Sequence, residues 1–171
     1  MHQAGSRPAP PHPLGGDPQV GTRVRLPPDD GTERLRSDPS VRLMVYPSAV
    51  NLSEEERSTL APIEEIDIET RAADGTVRRS IIWVVVDGDD VFIRSVRGDV
   101  ALWYREAVAD SQVTLIADGQ RIDVLLVAAD DPDSIERCSA GLQAKYSADS
   151  ALPTMLVAKT LPTTMRVVAP G

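Results

Sequence analysis

From about residue 51 onward, apolar positions fall into short runs of two different periods. In the stretch Glu64–Arg71, Ile66, Ile68 and Thr70 share one side while Asp67, Glu69 and Arg71 share the other, which is the alternation of a half-buried strand. The Ala73-Asp74-Gly75 turn follows, and an Asp-Gly pair supplies the positive φ values of a tight hairpin, so Arg78–Asp87 is expected to be the returning strand. Its run Ile81–Val86 is apolar at every position, Trp83 included. Both faces of that strand should be covered, one by a barrel interior and one by a helix or a partner subunit. Asp87-Gly88-Asp89 turns the chain into a third strand, Val91–Val96, where Val91 and Ile93 alternate with Phe92 and Arg94.

The period then changes. After Arg97-Gly98-Asp99, the residues Val100, Trp103, Tyr104, Ala107 and Val108 recur every three or four positions, as on a helix laid against a core. Val113–Ala117 and Ile122–Val127 flank an Asp118-Gly119 hairpin turn. Asp131-Pro132 caps a helix to Ser147 with the stripe Ile135, Cys138, Leu142 and Tyr146; a short helical piece around Met155–Ala158 and a strand Thr163–Val168 end the pattern. Ahead of it all, Ser53 and Glu56 have capping-box spacing for a helix through Leu60. Six mostly antiparallel strands with two or three covering helices predict a small β-barrel of the α+β class. No glycine-rich nucleotide motif occurs, and strand and helix do not alternate throughout, which disfavours Rossmann and P-loop folds.

Residues 1–48 read differently. Nine of the 14 prolines lie between Pro8 and Pro47, amid text without helical or strand period. Such a segment cannot bury a core, so residues 1–48 are expected to be a disordered tail and 49–171 a single domain. Met44, near the expected onset of order, is a second candidate start. No apolar run approaches the roughly 20 residues of a membrane span or resembles a signal peptide, and a cytoplasmic location is expected.

Both histidines, His2 and His12, lie in the tail, so the expected domain has no imidazole for a nucleophile pair or a metal site. Cys138 is the single cysteine and sits on an apolar stripe, which reads as core. No metal is expected, and no catalytic residue is assigned.

The net charge is −8; six of the 18 Lys/Arg and five of the 26 Asp/Glu lie in the first 50 residues, leaving 12 against 21 in the remainder. Such a surface repels nucleic acid. Between Arg71 and Arg105, however, six arginines meet five aspartates, so an anionic ligand is expected there. Apolar strands that begin or end in arginine suit a flat ring with a phosphate tail, which is the shape of a flavin.

The hairpin TRAADGTVRR, the strand pair IIWVVVDGDDVFIRSVRG, the helix start WYRE, the hairpin IADGQRIDV, AKYS at 144–147 and TTMRVV at 163–168 together resemble the FMN-binding split-barrel superfamily, the pyridoxamine phosphate oxidase-like proteins. Within it they are most similar to a bacterial branch near the deazaflavin-dependent nitroreductases, over residues 53–169. The resemblance implies that the Arg71–Arg79 hairpin and the strand end Arg94–Gly98 hold phosphate and ring, with Arg78, Arg79, Ser95, Val96 and Arg97 in contact. Gly98 would admit close approach of backbone, Trp83 and Trp103 would flank the ring, and Tyr104 would offer a hydroxyl. The cofactor implied is FMN or deazaflavin, acting in hydride transfer to a small organic acceptor. The implied assembly is a homodimer, with Ile81–Val86 and Met155, Leu156 and Val157 as the faces buried between subunits.

Each assignment has a plainer counterpart. Adjacent strand positions face opposite ways, so at least one of Arg78 and Arg79 is a solvated or salt-bridged rim residue. Arg97 can pair with Asp99, Gly98 can serve a turn alone, and both tryptophans can be core. The connection Gly98–Leu102 is shorter and more acidic than in the deazaflavin enzymes, which favours FMN or a barrel without cofactor. The alternatives are therefore a non-catalytic flavin- or planar-anion-binding barrel and a cofactor-less interaction domain. A barrel binding single-stranded nucleic acid is a third reading, opposed by the acidity.

Overall fold

The computed structural model describes residues 50–171, and the expected tail, 1–48, lies outside the described residues. Along the chain run β1 (Val50–Asn51), α1 (Glu54–Leu60), β2 (Glu65–Arg71), β3 (Val77–Asp87), β4 (Asp90–Arg94), α2 (Leu102–Ala109), β5 (Gln112–Ala117), β6 (Gln120–Ala128), α3 (Pro132–Lys145), α4 (Leu152–Met155) and β7 (Thr164–Ala169). The strands pair in the order β1-β7-β4-β3-β2-β5-β6, and β6 also pairs with β7, which closes six of them into an antiparallel barrel with β1 added outside the ring. Every pairing is antiparallel.

Strand alternation fills the interior. Ile66 and Ile68, Ile82 and Val84, Val91 and Ile93, Val113 and Leu115, and Met165 and Val167 all belong to one core. Leu60 of α1 and Trp103 and Ala107 of α2 join it, so both helices contribute to the filling of the barrel. The capping box forms as its spacing predicts: Ser53 Oγ accepts from the Glu56 amide and the Glu56 carboxylate accepts from the Ser53 amide.

A second core lies outside the wall. Trp83, Val85 and Phe92 point away from the barrel axis and meet Cys138 and Leu142 of α3, Tyr146 that caps it, and Met155 of α4. Gly141 makes this contact possible, because a Cβ there would run into the Val85 side chain. A helical glycine costs about 1 kcal/mol relative to alanine, and α3 gains close seating on β3 in return. The outer face of Ile81–Val86 is thus covered by the chain's own helix, and within the run only Ile81, 66% exposed, remains largely open. Met155 is likewise buried within its own subunit rather than offered to a partner, whereas Val157 is exposed.

Several boundaries differ from expectation by a residue or two, and two differences have a local cause. The third strand stops at Arg94 instead of Val96, because Gly98 adopts φ +68° and its amide donates to the Ser95 carbonyl at 3.1 Å, turning the chain. The short helix starts at Leu152, with Pro153 in its first turn, where no N–H is needed. No helix among the described residues is long and apolar enough to cross a membrane.

Candidate functional site

A cavity of about 370 Å³ opens beside β3, β4 and α4, within the size range of small-ligand sites. Its apolar wall is Ile81, Ile82, Trp83, Val96, Trp103 and Met155, and its charged members are Glu65, Arg94 and Asp149. Trp83 comes from the outer core and Trp103 from the barrel core, so each indole is fixed by packing on its own side. Trp83 stacks on Tyr146 with ring centroids 4.2 Å apart and an interplanar angle of 3°, and Trp103 meets Tyr104 edge-on at 6.0 Å.

Arg94 begins the strand end that the resemblance placed at the ligand, but it was not among the residues named in contact. It shares the outward face of β4 with Phe92 and is only 1% exposed. Its Nε donates to Thr164 Oγ1 at 2.9 Å, Nη1 to Ser139 Oγ at 2.9 Å and to the Met155 carbonyl at 3.1 Å, and Nη2 to the Ile135 carbonyl at 2.9 Å. All four acceptors are neutral, and Arg94 forms no ion pair among the described residues. A guanidinium has five N–H donors, so one is left over. Burial lowers its pKa from the ordinary arginine value, the cost of a charge withdrawn from water without a counter-ion. The signal available in sequence was an arginine on the same strand face as a core phenylalanine.

The residues singled out from sequence do not converge as one set. Trp83, Val96 and Trp103 line the cavity together. Ser95 and Gly98 are buried beside it in the turn: Ser95 Oγ donates to the Gly98 carbonyl at 2.8 Å, and a Cβ on Gly98 would stand 3.0 Å from the Lys159 carbonyl oxygen. The close approach that Gly98 permits is therefore to the chain's own backbone. Arg97 is exposed and is not paired with Asp99 among the ion pairs of the described residues.

Arg78 and Arg79 face opposite ways and each meets a carboxylate. Arg78 Nε lies 2.8 Å from Glu106 Oε1, and Glu106 also accepts from the buried Thr70 hydroxyl at 2.6 Å. Arg79 lies 2.7 Å from Glu69, which Arg121 grips from the other side at 2.6 Å. Hydrogen bonds from Arg121 and then Arg79 hold the Glu69 carboxyl down at about 2. Tyr104 is half-buried, its hydroxyl pKa raised by burial and by Asp130 and Asp99, and it is not part of the cavity lining.

Other chemistry is sparse. Burial pushes the Cys138 thiol up to about 11, so it stays protonated and unreactive at neutral pH. Among the described residues no group of three or more His, Cys, Asp or Glu side chains is disposed to hold a metal. A second cavity, of about 380 Å³, lies against β2, β5 and β6; it lacks an aromatic wall and a buried cation, and its Arg121 is tied to Glu69.

The barrel recurs among solved structures. A conserved hypothetical protein from Mycobacterium tuberculosis superposes with a TM-score of 0.53 at 13% identity, over 72% of this chain and 83% of its own. ChuZ from Campylobacter jejuni gives 0.52 at 11% identity, over 67% of this chain and 50% of its own. A likeness to an F420-H2-dependent reductase, at 12% identity over 61% of this chain and 93% of its own, has a TM-score of 0.46, below the level at which fold can be argued. No curated protein matches the sequence. The shared architecture is a six-stranded antiparallel β-barrel with one further strand and covering helices. A family model described as uncharacterized protein conserved in bacteria, DUF2255, matches residues 56–167, well over half of the chain, and the chain belongs to that family.

Proposed function

We propose that the cavity beside β3 and β4 holds the ring of a flavin-type cofactor, FMN or deazaflavin in general class, and that the protein is an oxidoreductase passing hydride to a small organic acceptor. The carrying observation is that two indoles, Trp83 and Trp103, and a buried guanidinium without a carboxylate, Arg94, line one cavity. Flat aromatic walls suit a flat ligand, and a buried cation is stabilised by an acceptor or anion brought in beside it. When bound, a flavin-type ring supplies the hydride chemistry that these side chains lack. Trp83 and Trp103 would exclude water from its faces, Arg94 would donate its remaining N–H toward a ring acceptor, and Tyr104 would hold Trp103 in orientation through the edge contact. A homodimer in which a second barrel covers exposed Ile81 belongs to the same proposal.

The test is titration of FMN and of deazaflavin separately, following tryptophan fluorescence. Saturable quenching that is lost in Trp103→Ala supports the reading; no quenching with either cofactor or with riboflavin overturns it. Light scattering at micromolar concentration checks the dimer, and a purely monomeric mass would remove it.

A second reading, a barrel that binds a planar ligand without turnover, is favoured by one observation: Arg78 and Arg79 already face Glu106 and Glu69. Oxidation of reduced cofactor by quinones or nitro compounds, well above the protein-free rate, separates the two.

A further inference from the structure

We propose that this cavity selects planar ligands whose far end carries no phosphate, and that Glu65 and Asp149 impose the selection. The proposal rests on the flavin-type reading and deepens it by naming the class of ligand. Three charged residues line the cavity, and two of them are acids. Glu65 stands on β2 directly across from Trp83 of β3, and Asp149 lies in the segment between α3 and α4, its Oδ1 accepting from the Ala151 amide at 2.7 Å. Both are exposed, and neither takes part in an ion pair among the described residues. The one cation, Arg94, is buried and engaged by four neutral acceptors.

A ligand inserted here thus finds its single positive charge deep in the protein and two negative charges on the solvent side. A phosphate monoester carries about −1.5 to −2 charge at neutral pH and would need cations where the acids stand. The cations nearest in sequence to the lining do not supply them. Arg78 and Arg79 pair with Glu106 and Glu69, and Lys145 donates to the Ile63 and Val84 carbonyls at 2.6 and 2.9 Å. Arg97 follows Val96 in the chain and Arg105 lies two residues after Trp103, but neither is part of the lining. An uncharged tail with hydroxyl groups meets no such repulsion and can donate to both carboxylates.

Riboflavin and FMN share a ring and differ in the phosphate, so their dissociation constants, read by fluorescence, isolate the term. Riboflavin is expected to bind at least about tenfold more tightly than FMN, the scale of like-charge juxtaposition across a partly exposed site. In the Glu65→Gln, Asp149→Asn double variant the ratio should fall toward unity through tighter FMN binding. In the unaltered protein it should shrink as salt rises from about 0.01 M to about 1 M, which shortens the screening length from about 30 to about 3 Å. FMN binding as tightly as riboflavin, or a ratio that ignores both the double variant and salt, would overturn the selection while leaving the flavin reading standing. Absence of binding by either compound would overturn both.

Discussion

The indole of Trp83 lies flat on the ring of Tyr146, with centroids 4.2 Å apart and planes within 3°. One ring is on the barrel wall and the other ends α3, so the stack joins the outer core to the cavity that Trp83 lines. The Tyr146 hydroxyl completes the join: it accepts from the Val84 amide at 3.1 Å and lies within hydrogen-bonding reach of the Glu64 and Val84 carbonyls. Tyr146→Phe keeps the stack and strands a buried amide. A loss of about 1–3 kcal/mol is expected in urea unfolding, the cost of an unsatisfied buried donor. Near-ultraviolet circular dichroism from the stacked pair should be retained.

Arg94 fixes the other side of the same cavity by donating to β7, α3 and α4 at once. Arg94→Lys retains the charge but cannot reach four acceptors arranged for a planar fork. Destabilisation of at least about 2 kcal/mol is expected, given that hydrogen bonds to charged groups contribute about 1.5–3 kcal/mol each. Equal denaturation midpoints for the two proteins would show that the fork is dispensable.

Gly98→Ala tests the turn. The substitution meets a φ of +68° and a backbone oxygen, Lys159 O, 3.0 Å from the new Cβ, so strain and clash add. Gly75→Ala meets φ +85° with open space. Left-handed backbone costs a residue with a Cβ about 1–2 kcal/mol, and thermal denaturation should show the Gly98 variant losing more than the Gly75 variant.

How much was legible in the sequence follows from these residues. Period-two alternation in Ile66–Thr70 and the Asp-Gly turns have one physical solution, and the barrel strands appear accordingly. The opposite facing of Arg78 and Arg79 is likewise a matter of strand geometry alone. Glu69 faces Arg79 across the same hairpin, but Glu106 and Arg121 are distant in sequence, and their contacts with Arg78 and Glu69 were not legible. Arg94 was hidden for a related reason: two of its four acceptors are backbone carbonyls, which carry no residue signature, and the other two are hydroxyls of Ser139 and Thr164, far away in sequence. Trp83, Val96 and Trp103 meet at one cavity because β3, the turn after β4 and the start of α2 are brought side by side, while Ser95 and Gly98 turn inward to bond each other.

Lys145 gives the fold a pH dependence whose sign can be worked out. Its ammonium is half-buried and donates to two carbonyls with no carboxylate bonded to it, and burial lowers its pKa from 10.5 to about 8 despite Glu64 nearby. The unfolded chain therefore holds this proton up to about pH 10.5, while the folded chain releases it near pH 8. Between those values the unfolded state binds more protons, so this group makes stability rise with pH. Cys138 works the other way: its thiol is held at about 11 when folded against 9.0 when free, so stability from this source falls above pH 9. Between pH 8 and 9 the lysine acts with little opposition from the thiol, and the urea midpoint should climb there. Lys145→Met should flatten that climb and uncover a fall above pH 9, which the lysine offsets up to about pH 10.5 in the unaltered protein. A variant whose midpoint climbs as steeply as the unaltered protein would place the proton release elsewhere.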